Sequence, residues 1–412
     1  MHRRTVYLVA PLAFAALLPA CSSSDSGAQA GDTGTAAPAA LEVWVDEARA
    51  DAMKDLAGQF SSDSGVAVSV VARTSEEMRD DYVRAVDQND APDVLIGAHD
   101  WLGELVTQGV VAPVQNDDPG AFAPVAIEAM TYDGDTYGTP LSIENVALVR
   151  NNALVSTTPA TFDELVAQGI SLVQAGTALY PVLVQQGEGG DPYHLYPLQT
   201  SFGAPAFRAD AAGSYTDELA LGGEQGRAFA TYVASLADRG VLDPGVTGDV
   251  AKAAFLAGES PYIITGPWNT AEFTDAGLDI SVLPIPAAGN LPAQPFVGVQ
   301  GAFVNNLSLH RAAAEDFVTD FLATPDAQLA LYRETGRAPA LNTALDQITD
   351  DPATTGFAEA GATGAPMPAI PQMSLVWLYW GETEARIAAG GDPLELWDQM
   401  VTNIEASIEA DK

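Results

Sequence analysis

Six aromatic residues, Trp101, Tyr193, Tyr196, Trp268, Trp377 and Trp380, lie in or near segments rich in Gly, Pro and acidic residues. A flat aromatic ring can cover the apolar C–H face of a sugar. Neighbouring Asp, Glu and Arg side chains can then exchange hydrogen bonds with its hydroxyls. Such a pocket is mostly apolar with a few placed polar groups. A single tryptophan is more often a core residue than a ligand platform, so the group carries this reading and no one ring does. Trp44, inside the alternating run Leu41-Glu42-Val43-Trp44-Val45, reads as a core ring.

Other chemistries find little support. The four histidines, His2, His99, His194 and His310, have no metal-ligand spacing, so no metal site is expected. No Gly-x-Ser-x-Gly elbow and no P-loop occur, and Gly187-Glu188-Gly189-Gly190 lacks the spacing and preceding strand of a dinucleotide loop. No cofactor is implied. A glycosidase needs a proton donor and a base or nucleophile across one bond, and among 55 acidic residues nothing picks out such a pair.

The elements that must position these residues begin after a leader. His2-Arg3-Arg4, an apolar run to Leu18 and small residues before Cys21 read as a signal peptide over 1–20. Leu18-Pro19-Ala20-Cys21 resembles the lipobox of bacterial lipoproteins, and Cys21 is the only cysteine in 412 residues. This implies acylation of Cys21 and a protein working outside the cytoplasmic membrane, anchored to it by lipid alone. Beyond Cys21, the residues to 40 are Ser, Gly, Ala, Thr, Pro and Asp with one Gln, and 21–40 reads as a flexible tether. The remaining body is long enough for two domains. A net charge of −38 argues against nucleic acid and acidic ligands.

Strand and helix patterns then alternate. Leu41–Val45, Val66–Val71 and Pro92–Ile96 read as strands, with helices over Arg49–Phe60, Glu76–Val86 and Asp100–Gln108 between and after them. Thr161 with Glu164 marks a helix start. The alternation predicts an α/β protein with parallel sheet layers covered by helices.

Several segments carry a family resemblance. They are Ala98-His99-Asp100, the run Tyr132 to Pro140 leading into Ile143-Glu144-Asn145, Gly266-Pro267-Trp268, Pro295-Phe296-Val297-Gly298-Val299, and Met367-Pro368-Ala369-Ile370-Pro371-Gln372-Met373-Ser374 with Trp377. The chain resembles the extracellular solute-binding proteins of ABC sugar importers, in their maltose/maltodextrin branch. The resemblance implies a monomer with a two-lobe type II binding-protein fold, a ligand cleft between the lobes and hinge closure. One lobe would be 41–142 plus 302–348 and the other 146–296 plus 353–412, with crossings near 143–145, 297–301 and 349–352. It implies no enzyme. The protein would capture a malto-oligosaccharide or related α-glucoside and deliver it to the membrane subunits of an ABC importer.

Carried over residue by residue, the resemblance makes Asp100, Glu144 and Asp191 acceptors for sugar hydroxyls. Tyr193, Trp268 and Trp377 become stacking surfaces. Asp46, Glu47 and Arg49 fall in the first strand-to-helix loop, where the family places an Asp and a Lys. Gly97 replaces a platform Trp, and Trp101 could return a ring to that wall. His194 replaces a Phe, Tyr196 a Trp and Gly381 an Arg, with Trp380 new beside it. Gly248 replaces a cleft Tyr. Two alternatives stay open: a surface enzyme acting on α-glucans through Asp100 and Glu144, and the same fold holding another sugar such as trehalose.

Overall fold

The computed structural model describes residues 40–88, 90–210 and 215–410. The leader, Cys21 and all of the tether except Ala40 lie outside the described residues. Two separate sheets organise the chain. The first contains strands Ala40–Asp46, Ala67–Arg73, Val94–Ala98, Gly138–Glu144, Phe296–Val304 and Ala338–Pro339, with Ala365–Pro366 paired to the start of Phe296–Val304. The second contains Ala147–Asn151, Leu183–Val184, Tyr262–Thr265 and Ile280–Leu283.

Alternation along the strands explains the layering. Val43 and Val45 pack with Met53, Leu56 and Phe60 of helix Ala50–Ser64 on one face of the first sheet. Trp44 and Leu95 face the other way, into a core with Tyr82, Leu102 and Phe303. The second sheet repeats the arrangement. Leu148, Val184 and Ile264 face one core, and Val149, Leu183 and Ile263 face another. Successive side chains of a strand point to opposite faces, so a strand covered on both sides must be apolar almost throughout. Val94, Leu95 and Ile96 are accordingly all buried.

The sheets are mixed where the alternation predicts parallel layers. Ala40–Asp46 runs parallel to both its neighbours, but Phe296–Val304 is antiparallel to Val94–Ala98 and to Gly138–Glu144. In the second sheet only Tyr262–Thr265 with Leu183–Val184 is parallel. The reason for the first sheet's reversal is a strand that returns to it from the second lobe. Phe296 is buried with the second sheet's core, whereas Ala302 and Val304 are buried with the first. This crossing strand brings the two lobes of the α/β fold together.

Behind the second lobe's aromatic core, helix Gln372–Ala388 buries Glu384 completely, and neither carboxylate oxygen has a hydrogen-bond partner. Burial raises its pKa well above the carboxylate range; Asp191 adds to this and the Trp380 indole opposes it. A carboxyl with a raised folded pKa loses folded-state stability as pH rises from its unfolded value toward the folded one. Glu384→Gln should therefore raise stability by about 1–3 kcal/mol at neutral pH and flatten the decline from acid to neutral pH. Urea unfolding at several pH values checks this. An unchanged pH slope would show that Glu384 does not titrate late.

Candidate functional site

The floor of the cleft is built where three chain segments meet. Glu144 ends strand Gly138–Glu144, next to Gly298 of the crossing strand. A Cβ on Gly298 would sit 3.2 Å from the Glu144 side chain, so glycine there leaves the carboxylate room. Gln300 Nε2 donates to Glu144 Oε1 at 2.8 Å, and Arg337 Nε donates to Oε2. Arg49, in the tight turn Glu47–Arg49 after the first strand, places Nη2 3.9 Å from Glu144 and donates from Nη1 to Asp46. Asp46, Arg49, Glu144 and Arg337 are all buried.

Burial alone would raise the pKa of Glu144, but Arg337 and Arg49, with Gln300, hold it below the usual carboxylate range. Burial lowers the pKa of Arg49 to about 9, helped by Arg337 and opposed by Glu144. The node leaves groups to spare. Asp46 Oδ1, Arg49 Nη2 and Arg337 Nη1 are buried without hydrogen-bond partners. Unpaired buried donors and acceptors are costly unless a ligand or water completes them.

A cavity of about 390 Å³ opens over this node, lined from both lobes. Asp46, Glu47, Arg49, Arg73 and Arg337 come from segments packed with the first sheet, Gln185 and Trp268 from segments beside the second, and Glu144 and Gln300 from strands Gly138–Glu144 and Phe296–Val304. Trp268 follows strand Tyr262–Thr265 in the turn Pro267–Asn269, and its ring folds back over Gly266, where a Cβ would collide at 1.9 Å. The Arg337 guanidinium lies 5.2 Å from the Trp268 ring centroid.

One layer back, Asp191 caps helix Pro192–Ser201 through the His194 N–H and also bonds His194 Nδ1 at 2.9 Å. Its other oxygen accepts from Gln185, so Asp191 orients a side chain that faces the cavity. Burial pushes the Asp191 carboxyl up, but His194 and Gln185 bring it below the usual range. The Tyr193 ring lies 6.4 Å from Trp268 and its hydroxyl has no partner. Asp191, Tyr193 and His194 do not line the cavity themselves.

A second cluster bridges the lobes beside it. Trp377 Nε1 donates to Asp100 Oδ2 at 3.0 Å. Burial raises the Asp100 pKa, opposed by His99 and by Trp377. Trp377 stacks on Trp380 at 5.4 Å, and Trp380 is fully buried against Tyr196 and Phe296. Trp380 thus backs Trp377 instead of reaching the cavity. The Trp101 ring lies over Gly97, where a Cβ would come within 2.3 Å of it. Gly381 presses against Gly189 and Gly190, which explains why no large side chain fits there.

The sequence reading missed Arg73, Gln185, Gln300 and Arg337. The one usable signal was the scarcity of cations: with 17 Lys and Arg in the chain, an arginine after Gly336 is notable. Gly336 adopts a left-handed φ of 65°, and a Cβ there would meet the Pro267 carbonyl at 2.7 Å. Among the described residues no group of three metal-ligating side chains could hold a metal ion.

Removing Arg337 would leave Glu144 buried without its closest cation. Arg337→Met should cost about 3–5 kcal/mol of stability at neutral pH, read from urea unfolding. The lowered pKa of Glu144 means its stabilisation is present above the unfolded carboxylate value and lost as pH falls through the folded one. The variant should therefore lose less stability on acidification than the wild type. A cost near zero with an unchanged acid slope would contradict this.

The family model for bacterial extracellular solute-binding proteins matches residues 55–356. A Thermus thermophilus maltotriose-binding protein, solved with maltotriose bound, superposes with a TM-score of 0.81 at 30% identity, covering 89% of this chain and 100% of that one. A Bacillus subtilis galactooligosaccharide-binding protein is 24% identical over 383 residues, 90% of each chain. A Streptococcus pneumoniae maltooligosaccharide ABC transporter solute-binding lipoprotein is 26% identical over 374 residues, 88% of this chain and 86% of its own. With a two-lobe fold, a cleft lined from both lobes and a family match over most of its length, the chain belongs to the bacterial extracellular solute-binding proteins.

Proposed function

We propose that this chain captures a malto-oligosaccharide in the cleft and delivers it unchanged to an ABC permease. The observation that carries the reading is the cavity itself. Asp46, Arg49 and Arg337 line it with charged groups suited to vicinal hydroxyls, and their unpartnered atoms need only a small side-chain shift to reach them, while the Trp268 ring meets a C–H face. The likeness to maltotriose- and maltooligosaccharide-binding proteins supports the sugar class.

Residues 41–142 with 302–348 and 146–296 with 353–412 move as two bodies about crossings near 143–145, 297–301 and 349–352. The sugar selects their closed arrangement. The protein acts as a monomer outside the cytoplasmic membrane, held by acylated Cys21; the lipoprotein relative supports this address. An enzyme built on Asp100 and Glu144 is disfavoured by the charges around Glu144. Two arginines keep it ionised, so it is a poor proton donor, and Asp100 is already engaged by Trp377.

Trp268→Ala and Trp377→Ala should each weaken maltotriose binding by about 1–3 kcal/mol with the fold retained. The Trp268 effect comes from a lost stacking face, and the Trp377 effect from a freed Asp100. Calorimetry on both variants checks this, and unchanged affinity in both would place the sugar elsewhere. A thermal-shift panel of maltose, maltotriose, trehalose and a galacto-oligosaccharide identifies the cargo, since the tightest ligand raises the melting temperature most. The malto-oligosaccharides should lead; a larger shift from the galacto-oligosaccharide or trehalose would redirect the assignment.

A further inference from the structure

His99 is fully buried where three segments converge, and both of its ring nitrogens are bonded. It follows strand Val94–Ala98 in the first lobe. Nδ1 accepts the Val299 N–H of the crossing strand at 3.1 Å. Nε2 lies 3.1 Å from the Met367 carbonyl oxygen, in the segment that leads to Trp377. A backbone N–H can only donate, so Nδ1 must be bare and the proton sits on Nε2. The partners therefore select one neutral tautomer.

The same turn makes two further contacts to that segment. Asp100 accepts from Trp377, and a Cβ on Gly103 would lie 2.5 Å from the Ala369 carbonyl oxygen and 2.7 Å from the Pro371 nitrogen. His99, Asp100 and Gly103 thus form one close-fitting face against residues 367–377.

We propose that His99 is a positioning residue of the cleft, a neutral clasp that holds segment 367–377 and the crossing strand to the first lobe and so makes ligand retention depend on pH. A second ring proton would set an Nδ1–H donor against the Val299 N–H donor, and the clasp must then open. The charged groups that face the ring are Asp100 from its own turn and Glu144 from strand Gly138–Glu144. The crossing strand presents Gly298, Val299 and Gln300, and the third segment presents Pro366, Met367 and Pro368, none of which titrates. Burial lowers the ring's pKa, against the pull of Asp100 and of the Met367 carbonyl, and the Val299 N–H donor adds its own opposition to a second proton. The arrangement seen here therefore keeps the ring neutral, and acid favours any arrangement that exposes it.

The affinity arm of the test rests on the sugar reading above. Maltotriose affinity of the wild-type protein should hold down to about pH 6.5, the ordinary imidazole value, and fall about tenfold over the next one to two units. His99→Asn keeps an acceptor for Val299 and cannot titrate, so its profile should be distinctly flatter over the same range. Superimposable profiles would overturn the proposal. A ring-nitrogen NMR titration of the wild-type protein decides the matter if the variant does not fold or if maltotriose does not bind at any pH. His99 is assigned there by elimination, using His194→Gln and His310→Gln. At neutral pH an Nε2–H ring with a bare Nδ1 supports the clasp; an Nδ1–H tautomer, or a ring already carrying both protons, refutes it.

Discussion

The structure depends on a buried negative charge at the bottom of its cleft. Glu144 cannot remain ionised there without cations, and it draws them from separate parts of the chain. Arg49 comes from the turn after the first strand and Arg337 from nearly two hundred positions away along the sequence. Gln300 of the crossing strand fills the other oxygen. A carboxylate so surrounded forms only when the first strand, the crossing strand and the Arg337 segment have all reached their places. The cost of desolvating Glu144 is thus tied to completion of the first lobe and its junction with the second.

Functional polarity follows from the same node. Its charges satisfy one another in part, and two donors and one acceptor of residues that line the cavity remain buried without partners. These are fixed in place by ion pairs, so little ordering is needed when a hydroxyl arrives. The second lobe supplies the apolar counterpart through Trp268, with Tyr193 behind it, and an oriented amide, Gln185, held by Asp191. One wall is charged and the other aromatic, the pairing that the proposed sugar-binding role requires. The strongly acidic exterior contrasts with this cavity, where Arg49, Arg73 and Arg337 stand among the acids Asp46, Glu47 and Glu144.

Much of this was legible in the sequence, for identifiable reasons. The strand near Val94–Ile96 and the helix capped by Thr161 are local features, set by apolar runs and a side-chain cap, and the Thr161 hydroxyl does accept from the Glu164 N–H. The crossing strand's reversed direction was not legible, because it reflects a return from the other lobe and no local pattern. Asp46, Glu47, Arg49, Glu144 and Trp268 meet at one cavity, while Trp380 lies in the core behind Trp377. Nothing in the residues around Trp380 distinguishes a backing ring from a facing one. Gln185, Gln300 and Arg337 acquire their roles only by convergence of distant segments, so their neighbours in sequence carry no mark of it.

On the proposed function, this cleft binds a malto-oligosaccharide and leaves it intact. The most direct measurement is isothermal titration of the purified protein with maltotriose, followed by chromatography of the recovered sugar. Saturable binding of one sugar per chain, with maltotriose recovered whole, is the expected result. Absence of binding heat together with no displacement of a reporter ligand, or recovery of shorter sugars, would contradict it.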